Sequence, residues 1–303
     1  MRFVVVLFTA ISGLQIPFLQ GVIKSVYDKY ETPPAKLTLA RRRTEVSERD
    51  MLLHLEKSLV VQCGPARIAN GDCMCDDRLK EVLIIQVDDS RAAVYWHDAA
   101  KELVVAFRQT TTIDEWIVNL AAQQVPLPGF NGTKVHEGFL NQLEKIDDAV
   151  YAEILERATR RELQDYTLVI SGYSMGGAMA TLFAAKYANK LPKFRRTRIY
   201  TYASPRVGNQ AFAQLIDSLP FPVIRYTIQE DIVALLPPRA LGYVHGGAEF
   251  LSIPTSTSAI IRSCSLLYDE DPSCAFNLTK PFALSHFHPN NRPTPSPLFC
   301  PEA

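Results

Sequence analysis

The pentapeptide Gly172-Tyr-Ser-Met-Gly176 constrains this chain more than any other stretch. It follows the apolar run Tyr166-Thr-Leu-Val-Ile170 and opens a segment, Gly176 to Leu191, of helical character. A Gly-x-Ser-x-Gly sequence set between strand and helix makes a sharp turn that presents the serine at the strand end. Gly172 and Gly176 keep side chains out of the turn, and Gly177 and Ala178 let the helix lie close to the strands. The amide of Met175 then falls at a helix N-terminus, where its N–H can face a developing oxyanion. The competing reading, a glycine-rich turn with an idle serine, does not explain why strand, turn and helix all coincide at Ser174. Ser174 is therefore the candidate nucleophile and Met175 a candidate oxyanion donor.

The surrounding pattern sets the fold class. Val82–Val87, Ala92–Trp96 and Leu103–Phe107 are β-branched or aromatic runs that read as neighbouring strands. Before them, Asp50 to Val61 has helical spacing, with Leu52, Leu53, Leu59 and Val60 as expected buried positions and Asp50 as the expected cap. Gly138 to Leu163 reads as helical. After the elbow, strand and helix alternate: Arg198–Tyr202, Asn209–Leu219, then Val223–Ile228. Such alternation predicts an α/β fold with a mostly parallel central sheet and helices on both faces. With the serine turn at its centre, this is the α/β-hydrolase arrangement.

Length suits one large domain, 50–303, better than two small ones. Hydrophobic residues form 47% of the chain, enough for a sizeable core, and 32 basic residues balance 32 acidic ones. A chain with no basic excess gives no reason to expect a nucleic-acid partner.

Residues 1–21 have the look of a secretory signal, a basic Arg2 followed by an apolar run, with Gly13 and Gly21 as small residues for a cut. The rival reading is an uncleaved anchor. Gln15, Pro17 and Gln20 interrupt the apolar run before it reaches the roughly 20 residues of a spanning helix, so no stable membrane span is expected in the mature chain. Residues 22–49 are expected to be an irregular arm or a pro-segment, with Pro33-Pro34 and the basic run Arg41-Arg42-Arg43. The six cysteines, the signal and two sequons, Asn131-Gly-Thr133 and Asn277-Leu-Thr279, agree with export, disulfides and glycosylation. No cysteine pair has zinc spacing, and Cys73-Met-Cys75 is too tight for it. No metal or cofactor is expected.

In this fold the chain order is Ser, then acid, then His. Acids after the elbow are Asp217, Glu230, Asp231, Glu249 and Asp269-Glu270-Asp271. Asp231 follows the Val223–Ile228 strand, and a loop at a strand's C-terminal end is where such an acid belongs. His54, His97 and His136 precede Ser174 and break the order. His245, His286 and His288 remain.

Several blocks now appear together: Phe107-Arg-Gln-Thr-Thr-Thr-Ile-Asp-Glu-Trp-Ile-Val-Asn-Leu120, Val135-His-Glu-Gly-Phe-Leu140, the elbow, Tyr202-Ala-Ser-Pro-Arg-Val-Gly-Asn209, Glu230-Asp-Ile-Val-Ala-Leu-Leu-Pro-Pro238 and Gly242-Tyr-Val-His-Gly-Gly-Ala-Glu249. In this order they resemble the fungal-type, or class 3, lipase family, from about residue 50 to Cys300. Where the family has Gly, His and Leu, this chain has Gln109, Tyr173 and Met175. The resemblance implies Asp231 as the acid and a structural role for His245. It leaves His286 as the expected base and His288 as the alternative, although Ser285-His-Phe-His-Pro289 departs from the family's His-x-x-Tyr. It further implies an oxyanion hole of Thr110 and Met175 amides. Residues 111–120 resemble a short helical lid with an apolar face of Ile113, Trp116, Ile117 and Leu120. The family pattern pairs Cys264 with Cys274 and Cys63 with Cys300, leaving a strained Cys73–Cys75. His136 and Arg108 read as structural partners near the site.

What the resemblance implies is a secreted lipase that cleaves acylglycerols at a lipid–water interface through an acyl-enzyme. Two other readings stand beside it. Feruloyl-type and other carboxylesterases share the blocks, and the Trp116-bearing apolar segment argues for lipid instead. A catalytically inactive lipid-binding relative would lack the need for Ser174, Asp231 and a C-terminal histidine.

Overall fold

The computed structural model describes residues 32–37, 46–62, 79–109, 123–229, 231–254, 259–267 and 269–274 of the 303-residue chain. Helix α1, Glu48–Leu59, precedes β1, Leu79–Val87, β2, Ser90–His97, and β3, Glu102–Phe107. A short hairpin, β4, Gln124–Pro126, and β5, Lys134–His136, leads into α2, Glu137–Glu144, and α3, Asp147–Ala158. Then come β6, Thr167–Tyr173, α4, Met175–Tyr187, β7, Arg196–Tyr202, α5, Gln210–Ser218, β8, Val223–Ile228, β9, Ala248–Pro254, and β10, Ala259–Ser263.

The central sheet has eight strands in the order β1-β2-β3-β6-β7-β8-β9-β10. The five strands from β3 to β9 run parallel, and the flanking pairs at each edge are antiparallel. Helices α2 to α5 lie in the crossovers from β3 to β8, while the one from β8 to β9 holds, among its described residues, only short 3₁₀ turns at Val233–Leu235 and Arg239–Leu241. One apolar layer, with Val105, Ile170, Met179 and Phe212, lies between the sheet and α2 to α5. The other, with Met51, Leu55, Tyr95, Val169 and Tyr200, lies under α1. Strands buried on both faces lack polar alternation, and β2, β3 and β8 are buried at every position.

Three expectations change. The cap of α1 is Ser47, whose hydroxyl accepts from the Asp50 amide, so Asp50 sits inside the first turn. The buried face agrees in part: Leu59 and Val60 are buried as expected and Met51 and Leu55 join them, while Leu52 and Leu53 are only half-buried. The expected Gly138–Leu163 helix is two helices, broken at Lys145-Ile146; Ile146 instead packs in the core. The strands β9 and β10 and the β4–β5 hairpin went unread, because short strands without strict alternation carry little periodic signal.

Helix α1 is bolted to the sheet by a buried carboxylate. Glu102 meets His54 Nε2 at 3.0 Å and the Lys57 ammonium. Burial alone would raise the Glu102 carboxyl; the His54 hydrogen bond and the Lys57 charge override it and hold it at about 2. The His54 ring also stacks on Tyr200, centroids 4.3 Å apart. In the same N-terminal region, residues 35–37 bond back to the far end of the chain: Leu37 N to Leu267 O at 2.8 Å, and Asp269 N to Ala35 O at 3.0 Å.

Cys264 and Cys274 are disulfide-bonded, with Cα atoms 6.1 Å apart. Asn131 is exposed, in the turn joining β4 to β5. Outside the described residues lie the 1–21 segment, Thr110, the segment with Ile113, Trp116, Ile117 and Leu120, and Cys63, Cys73, Cys75 and Cys300. So do Asn277, His286 and His288. Among the described residues no helix is long and apolar enough to cross a membrane.

Candidate active site

Ser174 stands between the last residue of β6 and the first of α4, with φ 55° and ψ −125°. A non-glycine residue at positive φ is held in a costly conformation and persists only where its surroundings enforce it. Here the enforcement is visible. The Ser174 amide donates to Tyr202 O at 2.8 Å on the neighbouring strand, and its carbonyl accepts from Gly177 at 2.9 Å. The two glycines of the pentapeptide are sterically required. A Cβ on Gly172 would lie 2.2 Å from the Gly176 carbonyl, and one on Gly176 would lie 2.1 Å from Phe107 O. Gly177 is also crowded, though less so: a Cβ there would lie 2.8 Å from Ser204 Cβ. The Ser174 Oγ is buried and has no hydrogen-bond partner among the described residues.

Met175, as the first residue of α4, has no intrahelical acceptor for its N–H. Beside it runs the end of β3, since Phe107 pairs with Gly172 and the Phe107 carbonyl abuts Gly176. The segment leaving β3 through Arg108 and Gln109 therefore starts at the elbow. Gln109 is not among the residues with left-handed backbone, so glutamine stands without strain where the family has glycine.

Asp231 follows β8, two strands from β6 in the sheet, and Tyr173, Tyr202 and Tyr226 are aligned in register across β6, β7 and β8. With neighbouring strands about 4.8 Å apart, the two loops are separated by roughly 10 Å at the same end of the sheet. Asp231 is fully buried, and its Oδ1 accepts from Val233 N at 2.9 Å.

The other acids are engaged elsewhere. Asp217 accepts from Gly247 N, and Glu249 accepts from Thr227 Oγ1 and faces Arg225. Asp269 and Glu270 face Arg239 and Arg206, and Asp271 caps Ser265 and Ser273. Glu230 lies outside the described residues.

The histidines sort in the same way. His54 is committed to Glu102 under α1. His97 pairs with Glu102 in the β2–β3 register, at the sheet end opposite the elbow. His245 is buried with Nε2 2.7 Å from Ala234 O. A carbonyl only accepts, and burial holds this imidazole well below its usual range, so the neutral Nε2–H tautomer fits.

His136 is the cap of α2, accepting from Phe139 N and stacking on the Phe139 ring at 4.2 Å. Its Nε2 is buried without a hydrogen-bond partner among the described residues. Burial pulls this imidazole from 6.5 down to about 4. Between those values the unfolded chain binds a proton that the folded chain does not. Stability is therefore full above about pH 6.5 and falls as pH drops toward 4, by roughly 3 kcal/mol at about 1.4 kcal/mol per pH unit. His136→Asn keeps a capping side chain. Its denaturant midpoint is expected to lose most of this pH slope; an unchanged slope would place the titrating group elsewhere.

Arg206 and Glu270, which form a buried fork beside the turn after Asp231, are not singled out by the sequence pattern. The available signal is a lone charged residue, Arg206, between Arg198 and Asp217.

A family model described as lipase (class 3) matches residues 104–241. A lipase of Rhizomucor miehei is 31% identical over 212 residues, covering 68% of this chain and 58% of that protein. The secreted mono- and diacylglycerol lipase 1 of Fusarium solani is 30% identical over 190 residues, 61% of this chain and 56% of that protein. The chain thus spans little more than half the length of these two relatives. The solved structure of the Rhizomucor miehei triacylglyceride lipase superposes with a TM-score of 0.71 at 27% identity, covering 83% of this chain and 98% of that one.

Proposed function

We propose that this chain, which belongs to the class 3 lipase family, is a lipase that hydrolyses carboxylic esters of glycerol with Ser174 as its nucleophile. The observation that carries the reading is the strained elbow: a buried serine at φ 55° between a parallel strand and a helix N-terminus. A strained residue that also holds a buried hydroxyl without a hydrogen-bond partner among the described residues points to chemistry.

In this reading Ser174 Oγ attacks the ester carbonyl carbon while His286 takes the hydroxyl proton, with His288 as the alternative base. Asp231 holds the imidazole tautomer and stabilises the imidazolium. The oxyanion is held by the amides of Met175 and Thr110, worth about 10²–10³ in rate per donor. The imidazolium then protonates the departing glycerol oxygen and leaves an acyl-enzyme. Water, deprotonated by the same histidine, releases the fatty acid. No step calls on a metal or cofactor.

The apolar face of Ile113, Trp116, Ile117 and Leu120 would cover the site in water and turn to lipid at an interface. We place the catalytic domain at 50–303, the signal at 1–21 and an arm or pro-segment at 22–49. Export agrees with the name of the Fusarium relative, with the Cys264–Cys274 disulfide and with an exposed Asn131. Cys63–Cys300, Cys73–Cys75 and a glycan at Asn277 complete the expectation.

The test is a panel of esters of graded acyl length, each assayed below and above its solubility limit. Turnover of emulsified glycerol esters with medium or long chains is expected. Activity confined to soluble aryl or short-chain esters would instead support a feruloyl-type or other carboxylesterase. Binding without turnover would support an inactive relative.

A further inference from the structure

We infer that Arg206, gripped by Glu270, is a positioning residue for Asp231. The inference rests on the reading above, in which Asp231 is the triad acid. The turn that follows Asp231 makes two internal bonds, Leu235 N to Ile232 O and Leu236 N to Val233 O, and then reaches Pro237-Pro238, which have no N–H to extend them. The next four carbonyls, Ala234 to Pro237, are instead taken by groups outside the turn. His245 Nε2 donates to Ala234 O at 2.7 Å. Arg206 Nη1 donates to Leu235 O and to Pro237 O, the latter at 3.1 Å. The backbone amide of Arg206 donates to Leu236 O at 2.7 Å. A single residue thus accounts for three of four successive carbonyls.

The guanidinium is fully buried, so its charge needs a counter-charge. Glu270 supplies it through a fork, Nε to Oε1 at 2.8 Å and Nη2 to Oε2 at 2.6 Å. Glu270 Oε1 also accepts from the amide of His245 at 3.2 Å, so the carboxylate aligns both residues that clamp the turn. Burial alone would raise this carboxyl; the Arg206 guanidinium overrides it and keeps it well below the ordinary carboxylate range. Glu270 lies in the loop closed by Cys264 and Cys274, and its neighbour Asp269 pairs with Arg239 at 2.7 Å. The clamp is therefore assembled from three separate parts of the chain.

A planar fork with five donors is what this geometry uses. Lysine keeps the charge but cannot hold two carboxylate oxygens and two carbonyls in one plane. Arg206→Lys is thus the first variant. The second replaces both ions with apolar side chains of similar length, Arg206→Met with Glu270→Met, a change that buried ion pairs often tolerate in stability.

Turnover is measured on a soluble short-chain ester and divided by the sites labelled with an organophosphonate. Both variants are expected to lose about 10²-fold in kcat per labelled site with KM little changed, the scale of an ångström-sized misplacement. The acid limb of the kcat/KM profile should move to lower pH, because a displaced carboxylate stabilises the imidazolium less.

The decisive arm repeats Arg206→Lys in an Asp231→Asn background. If Arg206 acts through Asp231, it should cost little there, whereas a merely structural loss would multiply. Wild-type turnover per labelled site in either folded variant, an unmoved acid limb, or full multiplicativity would overturn the inference. Failure of the parent chain to be labelled at Ser174 would sink the functional reading itself, and is seen before any variant is made.

Discussion

Ser174→Ala is expected to abolish covalent labelling by an organophosphonate and to lower kcat on any ester substrate by about 10⁶, the scale seen when a triad nucleophile is removed. The loss should be chemical and not conformational. Ser174 Oγ has no hydrogen-bond partner among the described residues, so its removal strands no buried group among them. Alanine must still adopt φ 55°, but the bonds that enforce it, Ser174 N to Tyr202 O and Gly177 N to Ser174 O, are backbone bonds that survive. The thermal midpoint should therefore move by only a few degrees, as a change of about 1 kcal/mol would in a domain of this size. Residual hydrolysis should come from the oxyanion donors and binding alone. Labelling that persists in Ser174→Ala would move the nucleophile to another residue and undo the reading of the elbow.

Asp231→Asn should be the next most costly change, about 10⁴-fold in kcat, since an amide in place of the carboxylate favours the wrong imidazole tautomer. Asparagine is isosteric, and its carbonyl oxygen can still accept from Val233 N where Asp231 Oδ1 does now. The turn is also held by its carbonyl contacts to Arg206 and His245, which the substitution leaves in place. Folding, read by near-ultraviolet dichroism and denaturant midpoint, should survive while turnover does not. A loss of less than about tenfold would exclude Asp231 as triad acid and return attention to Glu230, since the remaining acids of this part of the chain are engaged with other partners.

Much of this was legible in the chain itself, for a physical reason that differs by element. The elbow is readable because it is local: strand, glycine, serine, glycine and helix are consecutive, and each glycine answers a contact of 2.1–2.2 Å within or beside the turn. The core strands β2, β3, β6, β7 and β8 are readable because strands buried on both faces carry near-continuous apolar runs, Ala92–Trp96, Leu103–Phe107 and Leu168–Ile170 among them; in β7 only Ile199–Tyr202 is buried. The loop that bears Glu230 and Asp231 could be placed at the elbow's end of the sheet from the Val223–Ile228 strand, because a parallel sheet gathers its functional loops at one end; the choice of Asp231 came from the family resemblance. Edge strands and breaks were less readable. The edge strand β10 and the three-residue strands β4 and β5 carry little periodic signal, and the α2–α3 break at Ile146 depends on a core contact that no periodicity announces.

The chain by itself determined the nucleophile candidate, the parallel core and the end of the sheet at which chemistry can occur, since these follow from residues adjacent in sequence or from one strand's burial. Only the tertiary structure decided which charges are buried with which. Arg206 and Glu270 are 64 residues apart, and their fork exists because β7, the turn after Asp231 and the disulfide-closed loop meet in one place. Asp269, Glu270 and Asp271 look alike as a run of acids, yet one binds the N-terminal segment and Arg239, one binds Arg206, and one caps its own loop. A side chain's charge is written in the sequence, but the partner that makes burying it tolerable is supplied by the fold.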